Sequence, residues 1–201
     1  MIELVGKRVE PGHPKLEALL DRWLQLIGDP YWTSRDAPWW YNESASMSTL
    51  AAAAWLNKGR ALLDYRASKI RSKMRWRGRA DLWMDIGEEE YVGESKIYWP
   101  SLLRRRGHAK TARILSSASY DAKAHLRRDG TTRIGVLFVA PWTPELDDDA
   151  LANQTSSFID GSLKVLSRCL AIAWCFRTPW SEVPCSKGFG YPGVVLAINK
   201  V

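Results

Sequence analysis

Residues 132–140 (TRIGVLFVA) form a nearly unbroken apolar run, and no other stretch constrains the fold as much. A strand of that composition offers no polar face to water, so it predicts a central strand covered on both sides. Helical patterns able to supply cover lie around it. In residues 14–27, Leu16, Leu19, Leu20, Trp23, Leu24 and Ile27 recur at steps of three and four, before a stop at Gly28 and Asp29-Pro30. Residues 30–41 read as an aromatic, proline-containing loop. A second helix is expected from Asn42, a good N-cap, with Glu43 in its first turn and Met47, Leu50, Ala51, Ala54 and Trp55 as its apolar face. Gly59 suits its C′ position.

Residues 61–66 then read as a strand, with a helix continuing to Ser68 as the alternative. In residues 69–79 basic side chains alternate with a period of two, which fits either a strand with one cationic face or an extended loop. Residues 80–86 and 91–98 are expected as a hairpin about the turn 87–90. A helix follows, ending near Arg128, with Leu115, Ala118, Ala122 and Leu126 on its buried side and Asp129-Gly130 as its stop. After the central strand come a helix from Asp147-Asp148-Asp149 towards Ser167 with a break at Gly161, a strand at 170–176, a Pro/Gly loop at 177–192 and a last strand at 194–199. Helices alternating with strands predict an α/β domain, a mixed sheet flanked by helices.

At 201 residues and 46% hydrophobic content the chain can bury a core as one domain. No apolar run reaches the roughly 18 residues of a membrane span, and residues 1–8 lack a signal-peptide stretch. Neither a bilayer partner nor export is therefore expected. Cys169, Cys175 and Cys185 show no CxxC spacing, which fits a reducing cytoplasm and no zinc knuckle. The three histidines, His13, His108 and His125, are scattered.

Charge is distributed unevenly. Residues 61–128 hold 16 of the 29 Lys and Arg but 8 of the 22 Asp and Glu, so the whole excess of the +7 chain lies there. A localised basic field attracts polyanions, nucleic acid above all. Arg66, Lys69, Arg71, Lys73, Arg75, Arg77 and Arg79 form the main run, extended by Arg104, Arg105, Arg106 and Lys110. Phosphate contacts need no particular base sequence, which suits such a run. Trp76 among the arginines could stack on a base, although packing is the commoner role. Trp23, Trp39, Trp40, Trp55, Trp83, Trp99 and Trp174 are expected in the core.

The chemistry-bearing stretch is Arg79-Ala80-Asp81 at the start of one hairpin strand and Glu94-Ser95-Lys96 in the other. A turn centred on residues 88–89 sets Asp81 opposite Ser95-Lys96 and brings it near Glu94 and Lys96. Asp85 lies some residues away. Two paired carboxylates on one sheet face repel unless a cation sits between them, and oxygen donors favour Mg²⁺ or Mn²⁺. Bland alternatives exist. Asp81 could pair with Arg79, and Glu94 could form a cross-strand ion pair. A second ExK-like match, Asp121-Ala122-Lys123, falls in a helical pattern. Asp64 is a further acidic candidate.

These residues resemble the PD-(D/E)xK nuclease superfamily, with Ala80 where its name expects proline. The resemblance covers about half the chain. It implies a restriction-endonuclease-like core of order αβββαβ over residues 43–140; it does not explain the rest, where 1–42 is expected as a helical extension and 141–201 as a helix and strands completing the sheet. It further implies Asp81, Glu94 and the Ser95 carbonyl as ligands of Mg²⁺ or Mn²⁺, Lys96 as the residue assisting water, and Glu43 as an acidic residue of the first core helix. The implied activity is hydrolysis of phosphodiester bonds, DNA in preference to RNA, with a homodimer left open. The rival reading is a non-catalytic nucleic-acid-binding or protein-interaction module on the same fold.

Overall fold

A computed structural model describes residues 4–34, 36–104, 107–126 and 129–201. In chain order the elements are β1 (Val5–Val9), α1 (Pro14–Ile27), α2 (Tyr31–Ser34), α3 (Pro38–Tyr41), α4 (Glu43–Leu56), β2 (Arg60–Arg71), β3 (Met74–Asp85), β4 (Glu90–Tyr98) and α5 (Gly107–Ala122). There follow β5 (Thr131–Val139), α6 (Asp148–Val165), β6 (Ala171–Phe176), a 3₁₀ turn at Trp180–Glu182, β7 (Cys185–Ser186), β8 (Phe189–Gly190) and β9 (Gly193–Lys200). Seven strands form one mixed sheet in the order β1-β6-β9-β5-β4-β3-β2, and β7 and β8 form a separate small ribbon.

β5 is the expected central strand. Its Ile134, Val136 and Phe138 enter one apolar layer, and Leu137 and Val139 enter the other. Alternation along a strand makes this division. The first layer is closed by α1 and α4, the second by α5 and α6. β4 and β5 run parallel, so the chain must cross over between them, and α5 is that crossover.

Several local expectations differ from what forms. Residues 1–42 contribute more than helix, because β1 pairs antiparallel with β6 as an edge strand. Two valines in five residues gave this edge strand little apolar signal. α5 ends at Ala122, short of Arg128, and α6 runs through Gly161, where a Cβ would meet the His108 ring. Gly161 is therefore a point of close helix approach, with no break. After α4 the left-handed position falls on Lys58 (φ 62°), one residue before Gly59, whose missing Cβ makes room for the Asp85 carbonyl. Trp55 is exposed instead of buried.

The basic segment is neither a loop nor a separate strand. β2 and β3 pair continuously from Arg60↔Asp85 to Arg71↔Met74, with Asp64 the one interruption, whereas β4 pairs with β3 only from Asp85↔Glu90 to Leu82↔Gly93. Residues 66–79 thus project beyond β4 as a two-stranded arm. Its β2 edge meets the chain after α5: Ile70 N–H donates to the Ala124 carbonyl at 2.6 Å, and Leu126 N–H to Ser68 at 3.2 Å. Among the described residues no helix is long and apolar enough to cross a membrane.

Candidate active site

β3 and β4 separate just beyond Leu82↔Gly93, and the Asp81 and Glu94-Ser95-Lys96 segments lie at that fork. The hairpin turn is centred on Gly87-Glu88, both at positive φ. This moves the register from the expected one, so Asp85 pairs with Glu90 rather than facing Tyr91-Val92. Asp81 follows the last paired residue, where the ladder no longer supplies the Ser95 N–H with an acceptor. The Asp81 carboxylate takes that place: its Oδ2 accepts from Ser95 N–H at 2.7 Å and lies 3.2 Å from Ser95 Oγ.

The same hydroxyl meets a second carboxylate from the other layer. Asn42 caps α4, its Oδ1 accepting from Ala45 N–H at 2.8 Å, which sets Glu43 in the first turn. Glu43 Oε1 accepts from Ser95 Oγ at 2.7 Å. One hydroxyl carries one proton, so it cannot donate to both carboxylates at once. Burial pushes the Glu43 carboxyl above its ordinary value, against the Ser95 hydrogen bond and Lys96, and the charges of Asp81 and Glu94 add to the rise.

Glu94 does not join this pair. Strand alternation directs Ser95 towards the α4 layer and Glu94 and Lys96 towards α5. There Glu94 Oε1 accepts from Lys69 Nζ at 2.8 Å and from His125 Nε2 at 2.6 Å. Glu94 and His125 are buried, and the Lys69 side chain is 15% exposed. Gly78 permits the reach from β2, since a Cβ there would stand 3.0 Å from Lys69 Cδ. Burial works to raise the Glu94 carboxyl, but the hydrogen bonds from His125 and Lys69 outweigh it and hold the group below its ordinary value. Asp81 and Glu94 were expected as the close carboxylate pair; the contacts present tie Asp81 to Ser95 and Glu94 to Lys69 and His125. The pair that meets is Glu43 and Asp81, across Ser95.

Lys96 Nζ donates to the Ser95 carbonyl at 2.8 Å and lies 3.6 Å from Asp121 Oδ2. The backbone oxygen assigned to a metal by the resemblance is therefore taken by an ammonium. Asp121, set aside in the sequence as a chance match, is the acidic neighbour of Lys96. His125 and Asp121 had no usable sequence signal, because α5 and the chain after it bring them to β4 only in the fold.

The basic residues divide. Arg66, Lys73, Arg75 and Arg77 are exposed on the arm, and Trp76 is 40% exposed beside them. Lys69 is withdrawn from any phosphate track by Glu94. Arg71 lies over the Tyr120 ring, 4.5 Å from its centroid, and Lys110 over Tyr98 at 5.0 Å. Arg79 pairs with Asp64, and neither pairs with Asp81. Arg104 is exposed, while Arg105 and Arg106 fall outside the described residues.

Glu43 and Asp81 supply a hard, all-oxygen donor set in which two carboxylates share one hydroxyl, and such a set fits Mg²⁺ or Mn²⁺. Lys69 and His125 both hold Glu94 through the same oxygen, Oε1. No group of three or more His, Cys, Asp or Glu placed to hold a metal occurs among the described residues. No family model, curated protein or solved structure matches the chain.

Proposed function

We propose that the protein is a metal-dependent nuclease of the PD-(D/E)xK type, acting on DNA. The observation carrying this reading is the meeting of Glu43 and Asp81 at Ser95, beside Lys96, at the root of an arginine-rich arm. Burial raises the Glu43 carboxyl above its ordinary value, the charges of Asp81 and Glu94 add to the rise, and Lys96 opposes it. The observed element order from α4 to β5, αβββαβ, supports the same assignment.

In this reading Asp81 and Glu43 hold a Mg²⁺ or Mn²⁺ ion. A bound dication would polarise a phosphate oxygen and lower the pKa of water. The remaining work falls to the chain. Arg66, Arg75 and Arg77 hold the phosphate backbone along the arm. Lys96, 35% exposed at the fork, brings an ammonium to the charge that develops on the phosphoryl oxygens. Ser95 orients Glu43 through its hydroxyl and Asp81 through its N–H.

Purified protein incubated with plasmid, linear and single-stranded DNA is expected to cleave in Mg²⁺ or Mn²⁺ and to stop in chelator. Lys96→Ala should lower cleavage about 10²–10³-fold with DNA affinity nearly unchanged. Metal-indifferent binding without cleavage would instead favour the non-catalytic module.

A further inference from the structure

A cavity of about 470 Å³ opens under the arm, on the far side of His125 from Glu94. Its volume lies within the roughly 300–1,000 Å³ of small-ligand sites and is far too small for a duplex. Trp83 and Tyr65 give it aromatic walls, and Arg66 and Arg77 stand at its lining with exposed side chains. Glu90 fixes the Trp83 ring by accepting from its indole N–H at 2.6 Å. Two further lining residues carry buried polar atoms without partners: His125 Nδ1 and Thr131 Oγ1. A carboxylate only accepts, so His125 Nε2 donates to Glu94, and in the neutral ring Nδ1 is left as an acceptor. Both atoms are fully buried behind the cavity wall.

We propose that this cavity receives a single unpaired nucleobase, stacked on Trp83. The adjoining phosphates lie on Arg66 and Arg77. The inference rests on the nucleic-acid half of the reading above and deepens it: the substrate is a strand with an unpaired nucleotide next to the site. An aromatic wall with flanking cations is the chemistry that recognises a base and its phosphate together. One imidazole links the two sites, since His125 lines the cavity with one ring nitrogen unpartnered and binds Glu94 with the other.

The test measures binding in chelator, where cleavage plays no part. Three end-labelled duplexes are compared by anisotropy: fully paired, with one bulged thymidine, and with an abasic linker in place of that thymidine. The bulged duplex should bind about tenfold tighter than the abasic one, the worth of one stacked base. Ala67→Phe, which fills the cavity, and Trp83→Leu should each remove that difference. Equal affinity for bulged and abasic duplexes overturns the proposal, as does a difference that survives in folded Ala67→Phe. With the native protein, 5-iodouracil at the bulge should cross-link to Trp83 or Tyr65, and cross-links confined to Trp76 on the arm overturn it independently of any variant. Cleavage without base discrimination removes the pocket alone. Discrimination without cleavage in Mg²⁺ or Mn²⁺ removes the nuclease reading alone.

Discussion

The two faces of β4 at Glu94-Ser95-Lys96 handle charge in opposite ways. Towards α4, two carboxylates compete for one hydroxyl, and the half-buried Glu43 is pushed above its ordinary pKa. Towards α5, a buried carboxylate receives hydrogen bonds from an ammonium and an imidazole and is held below its ordinary pKa. Three consecutive residues thus carry an unsatisfied cluster on one side and a satisfied clamp on the other. Unsatisfied charge is what a site for a cation and an anionic substrate requires, whereas a satisfied network ties elements together. The clamp joins β2, β4 and the chain after α5, so it holds the arm against the body.

The sharpest way to break this comparison is Asp81→Ala. On the unsatisfied side it should lower cleavage about 10²–10³-fold, with a stability cost of about 1–2 kcal/mol for the buried Ser95 N–H it leaves unpaired. Glu94→Ala tests the clamp. Breaking a buried pair costs about 3–5 kcal/mol, and the partial exposure of Lys69 puts this one near the lower end. Urea unfolding at pH 7 should therefore show a larger loss for Glu94→Ala than for Asp81→Ala, and equal losses would erase the distinction.

Adding Mg²⁺ should stabilise the native protein by about 2.7 kcal/mol at 100 times its Kd and leave Asp81→Ala unmoved in a thermal scan. Smaller effects separate the faces by pH. A raised folded pKa means that the Glu43 contribution is complete below 4.5 and is lost as pH rises through the raised value. Glu43→Gln should therefore match the native Tm at pH 4 and exceed it at pH 7, although cleavage is lost. Glu94 has the opposite sign: its contribution is present above 4.5 and disappears as pH falls through its lowered value. Stability curves with slopes of the same sign for these two residues would contradict the assignment. The least effect is expected from Arg75→Gln on the arm, which should lower the log–log salt slope of DNA binding by about 0.9 if it meets one phosphate.

Much of this architecture could be read locally. Asn42 and the first-turn Glu43, the apolar run of β5 and the turn at 87–90 are written in short-range chemistry, and they suffice for the αβββαβ order. Glu43 was legible as a candidate for the same reason, since a capped helix start places its first-turn side chains. The register of the hairpin was not, because a turn one residue earlier or later is almost equally compatible with Gly87-Glu88-Glu89. The length of the arm was also hidden. Alternating arginines satisfy a strand and a loop alike until a partner strand is known.

The residues alone determined that a basic segment leads into a strand pair bearing Asp81, Glu94 and Lys96, because hydrophobic periodicity and turn chemistry act over a few positions. Which carboxylate meets which was decided only in three dimensions. Lys69 and His125 stand 25 and 31 residues from Glu94 along the chain. They reach it because the arm pairs with the segment after α5, and burial then makes neutralising Glu94 more favourable than leaving it beside Asp81.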